Sequence, residues 1–223
     1  MIWRSEHPDR YMAGLTFRYD RDVVLEGADF EIPKGSFAVI TGPSGIGKST
    51  LLKLLLGIFT PEAGEMTLAC GGEDVALSRA VRPLFAYVPQ GNLLLSGSLR
   101  ENLTIVRPDA SQAEIDMALK VSCMDEVVAQ LPKGLDTPMG ESGAGLSEGQ
   151  GQRLAIARAV LGGAPVLLLD ECTSALDAET EGRVLENLRN LPNRTCIAVT
   201  HRPAAAGIAT LRLHIDEGRI SML

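Results

Sequence analysis

Long hydrophobic runs are missing from this 223-residue sequence. Its densest apolar stretches, residues 51–56 and 166–169, are short and are followed by Gly57 and Asp170. A membrane-spanning helix needs roughly 18 or more apolar residues. The first ten residues are polar and contain no hydrophobic core of a signal peptide. We therefore expect the chain as given to be soluble and intracellular.

Cysteine is scarce and scattered along the chain. The four cysteines, Cys70, Cys123, Cys172 and Cys196, form no C-x-x-C pair. Structural zinc sites and disulfide frameworks show closely or regularly spaced cysteines, so neither is predicted. We expect reduced thiols, most of them buried.

Basic residues are in deficit, with 21 lysines and arginines against 28 acidic residues and a formal net charge of −7. Proteins that bind nucleic acids usually carry a basic stripe, and the sequence has none. The composition therefore predicts no nucleic-acid partner. With 45% hydrophobic and 22% charged residues it is typical of a globular protein. The length suits one domain, or a core with an inserted subdomain.

Hydrophobic periodicity predicts an α/β fold. Residues 12–32 alternate between apolar and polar around a break at 20–22, which indicates an antiparallel hairpin. An apolar strand at 36–41 precedes a helix at 48–56 that ends at Gly57. Further helices are predicted at 111–130 (capped by Asp109 or Ser111), 148–161 and 179–191, with strands at 166–169, 195–200, 211–215 and 219–222. Alternating strands and helices indicate a parallel sheet covered on both faces.

The turn between strand 36–41 and helix 48–56 fits the pattern G-x-x-x-x-G-K-[S/T]. Its glycines let backbone N–H groups converge on phosphate oxygens where a Cβ would interfere, and the helix N-terminus adds a positive dipole. Lys48 can reach the β- and γ-phosphates, and the Ser49 hydroxyl can bind Mg²⁺. The alternative is a glycine-rich turn without a ligand. The turn consists of Gly42, Pro43, Ser44, Gly45, Ile46, Gly47, Lys48 and Ser49.

Two carboxylates follow the apolar strand 166–169. Ligands of open parallel sheets lie at the carboxyl ends of the strands, so Asp170 is expected near the phosphates, where it can hold Mg²⁺ through water. Glu171 is expected to point to a different side and suits a general base that polarises the attacking water. His201, at the end of strand 195–200, belongs to the same edge and can donate to the γ-phosphate. The alternatives are solvated carboxylates and a structural histidine.

The segment Leu-Ser-Glu-Gly-Gln at 146–150 resembles the signature of ATP-binding cassettes, usually Leu-Ser-Gly-Gly-Gln. The signature and the preceding motifs occur in the same order as in that family. Residues from about 15 to 220 therefore resemble the nucleotide-binding domain of ABC transporters. Generic P-loop kinases and GTPases lack this segment. Ser147 and Gln150 have the spacing of a capping box, and the helix they open makes an anion site. Glu148 replaces the usual glycine, and we expect its carboxylate to point away from phosphate.

The resemblance implies a RecA-like P-loop NTPase core at residues 1–90 and 159–223, with an antiparallel β subdomain and a helical subdomain inserted at 91–158. It places Tyr19 against adenine, with a surface tyrosine as the alternative. Residues 174–177 match the loop at which two cassettes touch. The implied catalytic residues are Lys48, Gln90, Glu171 and His201. Nucleotide would be bound by Tyr19, Gly42, Pro43, Ser44, Gly45, Ile46, Gly47, Lys48, Ser49, Thr50, Ser147, Gly149 and Gln150, and Mg²⁺ by Ser49, Gln90 and Asp170.

The resemblance also implies an ATPase that converts ATP and water to ADP and phosphate and powers a transporter by pairing head to tail with a second cassette. Segments 96–103 and 140–143 are similar to those of exporters. The expected partners are the second cassette and transmembrane domains, on the same or a separate chain, at the cytoplasmic face of the membrane. We expect an excised domain, with a natural subunit as the alternative. Two other interpretations are a cassette protein of repair or translation and a catalytically inactive regulatory cassette.

Overall fold

The computed structural model describes residues 9–20, 22–70, 73–91, 94–140 and 145–223. They form a six-stranded sheet, a four-stranded sheet and a two-stranded ribbon, with helices around them. The strands are β1 Asp9–Tyr19, β2 Asp22–Ile32, β3 Phe37–Thr41, β4 Ala63–Cys70, β5 Glu73–Ala76, β6 Phe85–Val88, β7 Gly97–Ser98, β8 Pro138–Met139, β9 Val166–Asp170, β10 Thr195–Val199, β11 Leu211–Asp216 and β12 Arg219–Met222. The helices are α1 Lys48–Leu55, α2 Leu99–Thr104, α3 Gln112–Val121, α4 Asp125–Gln130, α5 Glu148–Leu161, α6 Ala178–Arg189 and α7 Pro203–Ile208.

The six-stranded sheet has the order β12-β11-β3-β10-β9-β6. β11, β3, β10, β9 and β6 run parallel, and β12 closes the edge as an antiparallel hairpin with β11. The predicted parallel sheet and closing hairpin are therefore confirmed. Every residue of β9 and β10 is buried, as expected for strands covered on both faces, which is why four of the five residues in each strand are apolar.

Successive residues of the central strands enter two different cores. Val39 and Leu167 belong to a cluster that includes residues of α2, α3, α5 and α6. Ile40 and Leu168, their neighbours along the chain, belong to a second cluster that includes α1 and the strands β1, β2 and β4. Because side chains alternate across a strand, the central sheet is the wall shared by both cores. The helices α2, α3, α5 and α6, called the helical layer below, therefore pack on one face of the central sheet. Helix α1 and the antiparallel four-stranded sheet lie on the other face.

The four-stranded sheet is antiparallel and has the order β2-β1-β4-β5. The predicted hairpin is present as β1 and β2, and its turn begins at Asp20, which has a φ of 49°. The sequence pattern did not predict β4 and β5. A backbone hydrogen bond from Glu26 to the carbonyl of Gly218 (2.8 Å) ties the sheet to the β11–β12 hairpin.

Capping residues define several helix ends, including one at Ser98 that was not predicted. Ser98 with Glu101 and Ser111 with Glu114 form complete capping boxes at the starts of α2 and α3. At the end of α1, Gly57 donates to Leu54 (2.8 Å) in a left-handed turn, as predicted for a residue just beyond a helix. The predicted start at 111 and the predicted end of α1 at 56 therefore lie within one residue of the observed boundaries.

The single helix predicted at 111–130 is wrong, because the chain forms two helices that are separated at Cys123. This residue has a φ of 54°, which breaks the helical ladder. The side-chain amide of Asn187 donates to the carbonyls of Lys120 and Val121 (both 3.2 Å). Arg153 donates to the carbonyl of Cys123 (3.0 Å). Side chains of α5 and α6 thus replace the hydrogen bonds that a continuous helix would have made.

Two expectations from composition concern cysteines and membrane spans. Cys123, Cys172 and Cys196 are free and buried, as expected, and burial raises the pKa of Cys172 and Cys196 to about 12. The side chain of Cys70 and the segment 141–144, which contains most of the exporter-like loop, lie outside the described residues. Within the described ranges no helix is long and apolar enough to cross a bilayer.

The buried side-chain amide of Asn102 fixes the chain segment that leads into α2. Asn102 in α2 is 2% exposed. Its carboxamide oxygen accepts from the N–H of Leu95 (2.8 Å), and its nitrogen donates to the carbonyls of Leu95 (2.8 Å) and Ser98 (3.1 Å). One side chain therefore satisfies three backbone groups of the segment that precedes α2.

Replacing this amide should destabilise the protein. We expect Asn102→Leu to lower the free energy of unfolding by about 2–4 kcal/mol, because it leaves buried backbone groups without partners. Gln112→Leu, which removes an exposed amide on α3, should change it by less than about 0.5 kcal/mol. Urea unfolding measures both variants, and equal effects would contradict the role given to Asn102.

Candidate functional site

The glycine-rich turn lies between the end of β3 and the start of α1. Gly42 has a φ of 145°, and a Cβ there would lie 2.4 Å from the carbonyl oxygen of Ile215. Gly47 has a φ of 109°, and a Cβ there would lie 2.2 Å from a methyl group of Val24. The first turn of α1 has no side-chain cap and no acidic residue. Its N–H groups and positive dipole therefore favour an anion at the turn.

Lys48 is held beneath this turn. Its ammonium donates to the carbonyls of Gly42 (2.9 Å) and Pro43 (2.7 Å), and the residue is only 5% exposed. Burial lowers the pKa of Lys48, and the carboxylates of Glu171 and Asp170 offset part of that effect. The ammonium thus lies between the turn and the two acidic residues.

Asp170 ends β9 with both carboxylate oxygens engaged. It is 3% exposed. The hydroxyl of Ser49 donates to Oδ1 (2.9 Å), and the hydroxyl of Tyr87 donates to Oδ2 (2.9 Å). Burial, reinforced by the neighbouring carboxylate, raises the pKa of Tyr87 well above its ordinary value, so the phenol stays protonated and acts as a donor. Sequence reasoning did not identify Tyr87, because only the strand order brings β6 beside β9.

Glu171 leaves the sheet in another direction. Its φ is 47°, and its N–H still donates to the carbonyl of Val199 (2.9 Å). The side-chain amide of Gln90 donates to Oε2 of Glu171 (3.3 Å), and Nε2 of His201 lies 3.3 Å from Oε1. The expectation that Glu171 and Asp170 face different partners is confirmed.

Tyr19 belongs to an aromatic cluster at the end of β1. Its ring packs edge-on against Phe17 (5.1 Å between centroids) and Phe59 (5.5 Å). Tyr19 remains 42% exposed. The cluster holds the tyrosine ring in place and leaves part of it accessible to a planar group, since aromatic rings stack readily on such groups.

The signature segment opens α5 as predicted. The Ser147 hydroxyl accepts from the N–H of Gln150 (3.2 Å), and the Gln150 side chain accepts from the N–H of Ser147 (2.9 Å), which confirms the capping box. A Cβ at Gly149 would lie 2.8 Å from the carbonyl oxygen of Ala175. Gln152 donates to Ser174 (3.0 Å) and accepts from the N–H of Ala175 (3.0 Å). The start of α5 is therefore fastened to the loop 174–177.

Arg202 also contacts the loop 174–177. The sequence pattern did not identify this residue. Its guanidinium donates to the carbonyl of Ser174 (2.5 Å) and lies 3.8 Å from a carboxylate oxygen of Glu181. Glu181 is 2% exposed and accepts from the hydroxyl of Thr173 (2.8 Å). The residue that follows His201 thus contacts the loop that follows β9.

Apart from Tyr19, which lies in the aromatic cluster at the end of β1, the expected site residues fall into three places. Lys48, Ser49, Gln90, Asp170, Glu171 and His201 meet at the carboxyl edge of the central sheet. Pro43, Ser44 and Gly45 form the exposed rim of the turn, Gly42, Ile46 and Gly47 are partly covered, and Thr50 is buried in α1. Ser147, Gly149 and Gln150 lie with the loop 174–177.

Residues 25–174 match the family described as ABC transporter. That range contains the glycine-rich turn, Gln90, the signature and both carboxylates, whereas Tyr19 and His201 lie outside it. The match therefore covers the larger part of the chain and most of the site described above.

Two relatives are considerably longer than this chain. It is 39% identical over 211 residues to the ATM1-type heavy metal exporter of Novosphingobium aromaticivorans, covering 93% of this chain and 34% of that protein. It is 41% identical over 211 residues to the mycobactin import ATP-binding/permease protein IrtB of Mycobacterium tuberculosis, covering 92% and 36%. The chain thus spans about a third of the length of these relatives.

A solved structure has the same fold over almost the whole chain. The structure of a bacterial Atm1-family ABC exporter with ATP bound matches with a TM-score of 0.87 and 37% sequence identity. The match covers 97% of this chain and 38% of that one. The architecture, including both sheets and the helical layer, is therefore shared with a nucleotide-binding protein.

The contact between Gly47 and Val24 gives a stability test of the turn. We expect Gly47→Ala to lower the free energy of unfolding by about 2 kcal/mol or more, because left-handed strain and overlap with Val24 combine. In Gly47→Ala/Val24→Ala the overlap disappears, so the loss should be at least about 1 kcal/mol smaller than the sum of the single losses. Urea unfolding of the four proteins measures this coupling, and additive losses would refute it.

Proposed function

Because the chain belongs to the ABC transporter family, we propose that it binds and hydrolyses ATP and so drives a transporter through pairing with a second cassette. The observation that carries the proposal is the network at the carboxyl edge of the sheet. There, Lys48 lies under an anion-binding turn, and Glu171 is held by Gln90 and His201.

The glycine-rich turn and the Tyr19 cluster make up the proposed nucleotide site. The N–H groups of Gly42 and of residues 44–50 bind the phosphates together with the ammonium of Lys48. An ammonium has three donors, and two of those of Lys48 meet backbone carbonyls. The accessible part of Tyr19 stacks on adenine. The tyrosine is held by Phe17 and Phe59, so little ordering entropy is lost on binding.

The oxygen atoms next to the glycine-rich turn suit a Mg²⁺ ion as ligands. Ser49 and Asp170 bring a hydroxyl and a carboxylate oxygen within 2.9 Å of each other. Gln90, whose amide nitrogen donates to the neighbouring Glu171 (3.3 Å), has a side-chain carbonyl oxygen that suits a third ligand. Mg²⁺ prefers oxygen ligands and keeps several waters. We propose that these three residues hold the ion with the substrate phosphates. When bound, it supplies positive charge that neutralises the phosphate oxygens.

The proposed reaction is ATP + H₂O → ADP + phosphate. The oxygen of the water attacks the γ-phosphorus while Glu171 accepts a proton from that water. The bond between the γ-phosphorus and the β–γ bridging oxygen breaks at the same time, and ADP leaves. Gln90 donates to one oxygen of the Glu171 carboxylate, and Nε2 of His201 lies 3.3 Å from the other. When nucleotide is bound, a ring N–H of His201 donates to the γ-phosphate. Lys48 balances the charge that develops on the phosphate oxygens.

We propose that the second anion site acts on the nucleotide of another protomer. The N-terminus of α5, with Ser147, Gly149 and Gln150, is fastened to the loop 174–177. A two-fold pair lets each protomer present this site to the other's turn. In this arrangement the loop 174–177 lies at the contact between protomers. The division into a core (1–90 and 159–223) and a helical subdomain (91–158) belongs to the same proposal, and α5 crosses that boundary.

The transport role rests on the relatives, of which this chain spans about a third. We propose that the cassette works with transmembrane domains at the cytoplasmic face of a membrane, in a transporter of the exporter type. One relative is named an exporter and another an import protein, so the direction of transport is a property of the membrane part in this proposal. A nucleic-acid partner is disfavoured by the net charge of −7, and an inactive cassette by the complete network around Glu171.

Removing the proposed base should separate binding from hydrolysis. We expect Glu171→Gln to keep ATP affinity within a few-fold and to lower hydrolysis by about 10²-fold or more, because an amide cannot accept the proton. A phosphate-release assay measures turnover, and size-exclusion chromatography should show an ATP-trapped dimer. Glu179→Gln, on the exposed first turn of α6, is the matched control and should hydrolyse like the wild type. Turnover within a few-fold of the wild type for Glu171→Gln would remove Glu171 from this role.

Mixing two inactive variants tests the pairing. Ser147→Arg blocks the signature, and Lys48→Ala weakens the turn, so we expect each variant alone to be inactive. A mixed dimer contains one site with an intact turn and an intact signature, so mixing should restore part of the activity. The specific activity of the wild type should also rise with protein concentration, because dimerisation is a mass-action step. Flat activity down to nanomolar protein together with no rescue would show that one chain suffices.

A further inference from the structure

The carboxylate of Asp170 is oriented from two sides. Asp170 is 3% exposed, so water does little to solvate it. Ser49, on α1, donates to Oδ1, and Tyr87, on β6, donates to Oδ2, both at 2.9 Å. The proposed function uses Ser49 and Asp170 and assigns nothing to Tyr87.

Strand register explains why Tyr87 reaches this carboxylate. In the parallel pair of β6 and β9, Tyr87 is opposite Leu168, two residues before Asp170. Side chains alternate along a strand, so Tyr87, Leu168 and Asp170 share one face of the sheet. The ring of Tyr87 packs against the core that contains Leu168, and its hydroxyl extends along the strand direction to Asp170.

We propose that Tyr87 is a positioning residue that fixes the rotation of the Asp170 carboxylate, so that the oxygen bonded to Ser49 is presented to Mg²⁺. This inference rests on the proposed function, since it concerns the metal that Ser49 and Asp170 would hold. A carboxylate at a strand end has a broad terminal torsion. A donor on each oxygen restricts that torsion, and outer partners of this kind strongly affect metal affinity.

A purely structural role is the competing explanation. A buried carboxylate needs hydrogen-bond partners whether or not it binds a metal, so Tyr87 would then contribute to stability alone. The two roles differ in one readout. A positioning role changes the dependence of ATP binding on metal, whereas a structural role changes only the unfolding transition.

The decisive variant is Tyr87→Phe, which keeps the ring and removes the hydroxyl. We expect the concentration of free Mg²⁺ that half-saturates ATP binding to rise about 10-fold or more, in line with losses of outer metal-site partners. ATP affinity in EDTA should stay within about twofold, because the phosphate turn and Tyr19 are untouched. A fluorescent ATP analogue measures both affinities, and electron paramagnetic resonance with Mn²⁺ and ATP measures metal occupancy independently of activity.

The matched control is Thr195→Val. Thr195 is 3% exposed and is the first residue of β10, so it lies at the amino ends of the strands, away from Asp170. Its hydroxyl accepts from the N–H of Gly35 (3.0 Å). This variant also removes one buried hydroxyl, and it should be destabilised with unchanged metal dependence. Replacing Tyr87 by 4-aminophenylalanine, which keeps a donor at the end of the ring, should restore the metal dependence of the wild type. If Tyr87→Phe fails to fold, 4-chlorophenylalanine fills the space of the hydroxyl without donating.

The outcomes separate the inference from the proposed function. A raised Mg²⁺ requirement in the variant without a donor, reversed by 4-aminophenylalanine, supports the positioning role. Metal dependence within about twofold of the wild type, or an equal shift in Thr195→Val, would overturn it and leave the proposed function intact. A wild-type chain that binds no ATP with Mg²⁺ would overturn both.

Discussion

The site depends on one constraint, which is the common register of four parallel strands. Val199 pairs with both Ile40 and Asp170, and Leu169 pairs with Val88. The strands β3, β10, β9 and β6 therefore end at nearly the same level. The chain segments that follow them leave the sheet together, and this brings the glycine-rich turn, Gln90, Glu171 and His201 to one edge. A slip of one residue in any of these strands would turn the side chains at its end to the other face.

Hydrogen bonds explain how three charged side chains are buried near this edge of the sheet. Lys48, Asp170 and Glu181 are nearly buried, and burial of a charge is costly unless hydrogen bonds compensate. Each has such partners: backbone carbonyls for Lys48, two hydroxyls for Asp170, and Thr173 with Arg202 for Glu181. These bonds also connect neighbouring segments, so the buried charges and the loops at the site form one structure.

The loop 174–177 contacts elements on both sides of it in the fold. Gln152 and the backbone of Gly149 contact it from α5, and Arg202 contacts it from the segment after β10. A shift of His201 would act on this loop through Arg202, its neighbour in the chain. The loop is therefore a physical connection between the carboxyl edge of the central sheet and the helices that pack on one of its faces.

The sequence by itself determined the parts of the molecule whose physics is local. The glycine-rich turn, the cap at Ser111, the capping box at Ser147 and the largely apolar strands β9 and β10 depend on residues a few positions apart, and they were predicted correctly. Tertiary structure alone decided the bond between Tyr87 and Asp170, the contact of Arg202 with Glu181, and the break at Cys123. Each of these joins residues that are distant in sequence or needs a partner from another element. Strand order and packing bring such partners together, and no local periodicity encodes them.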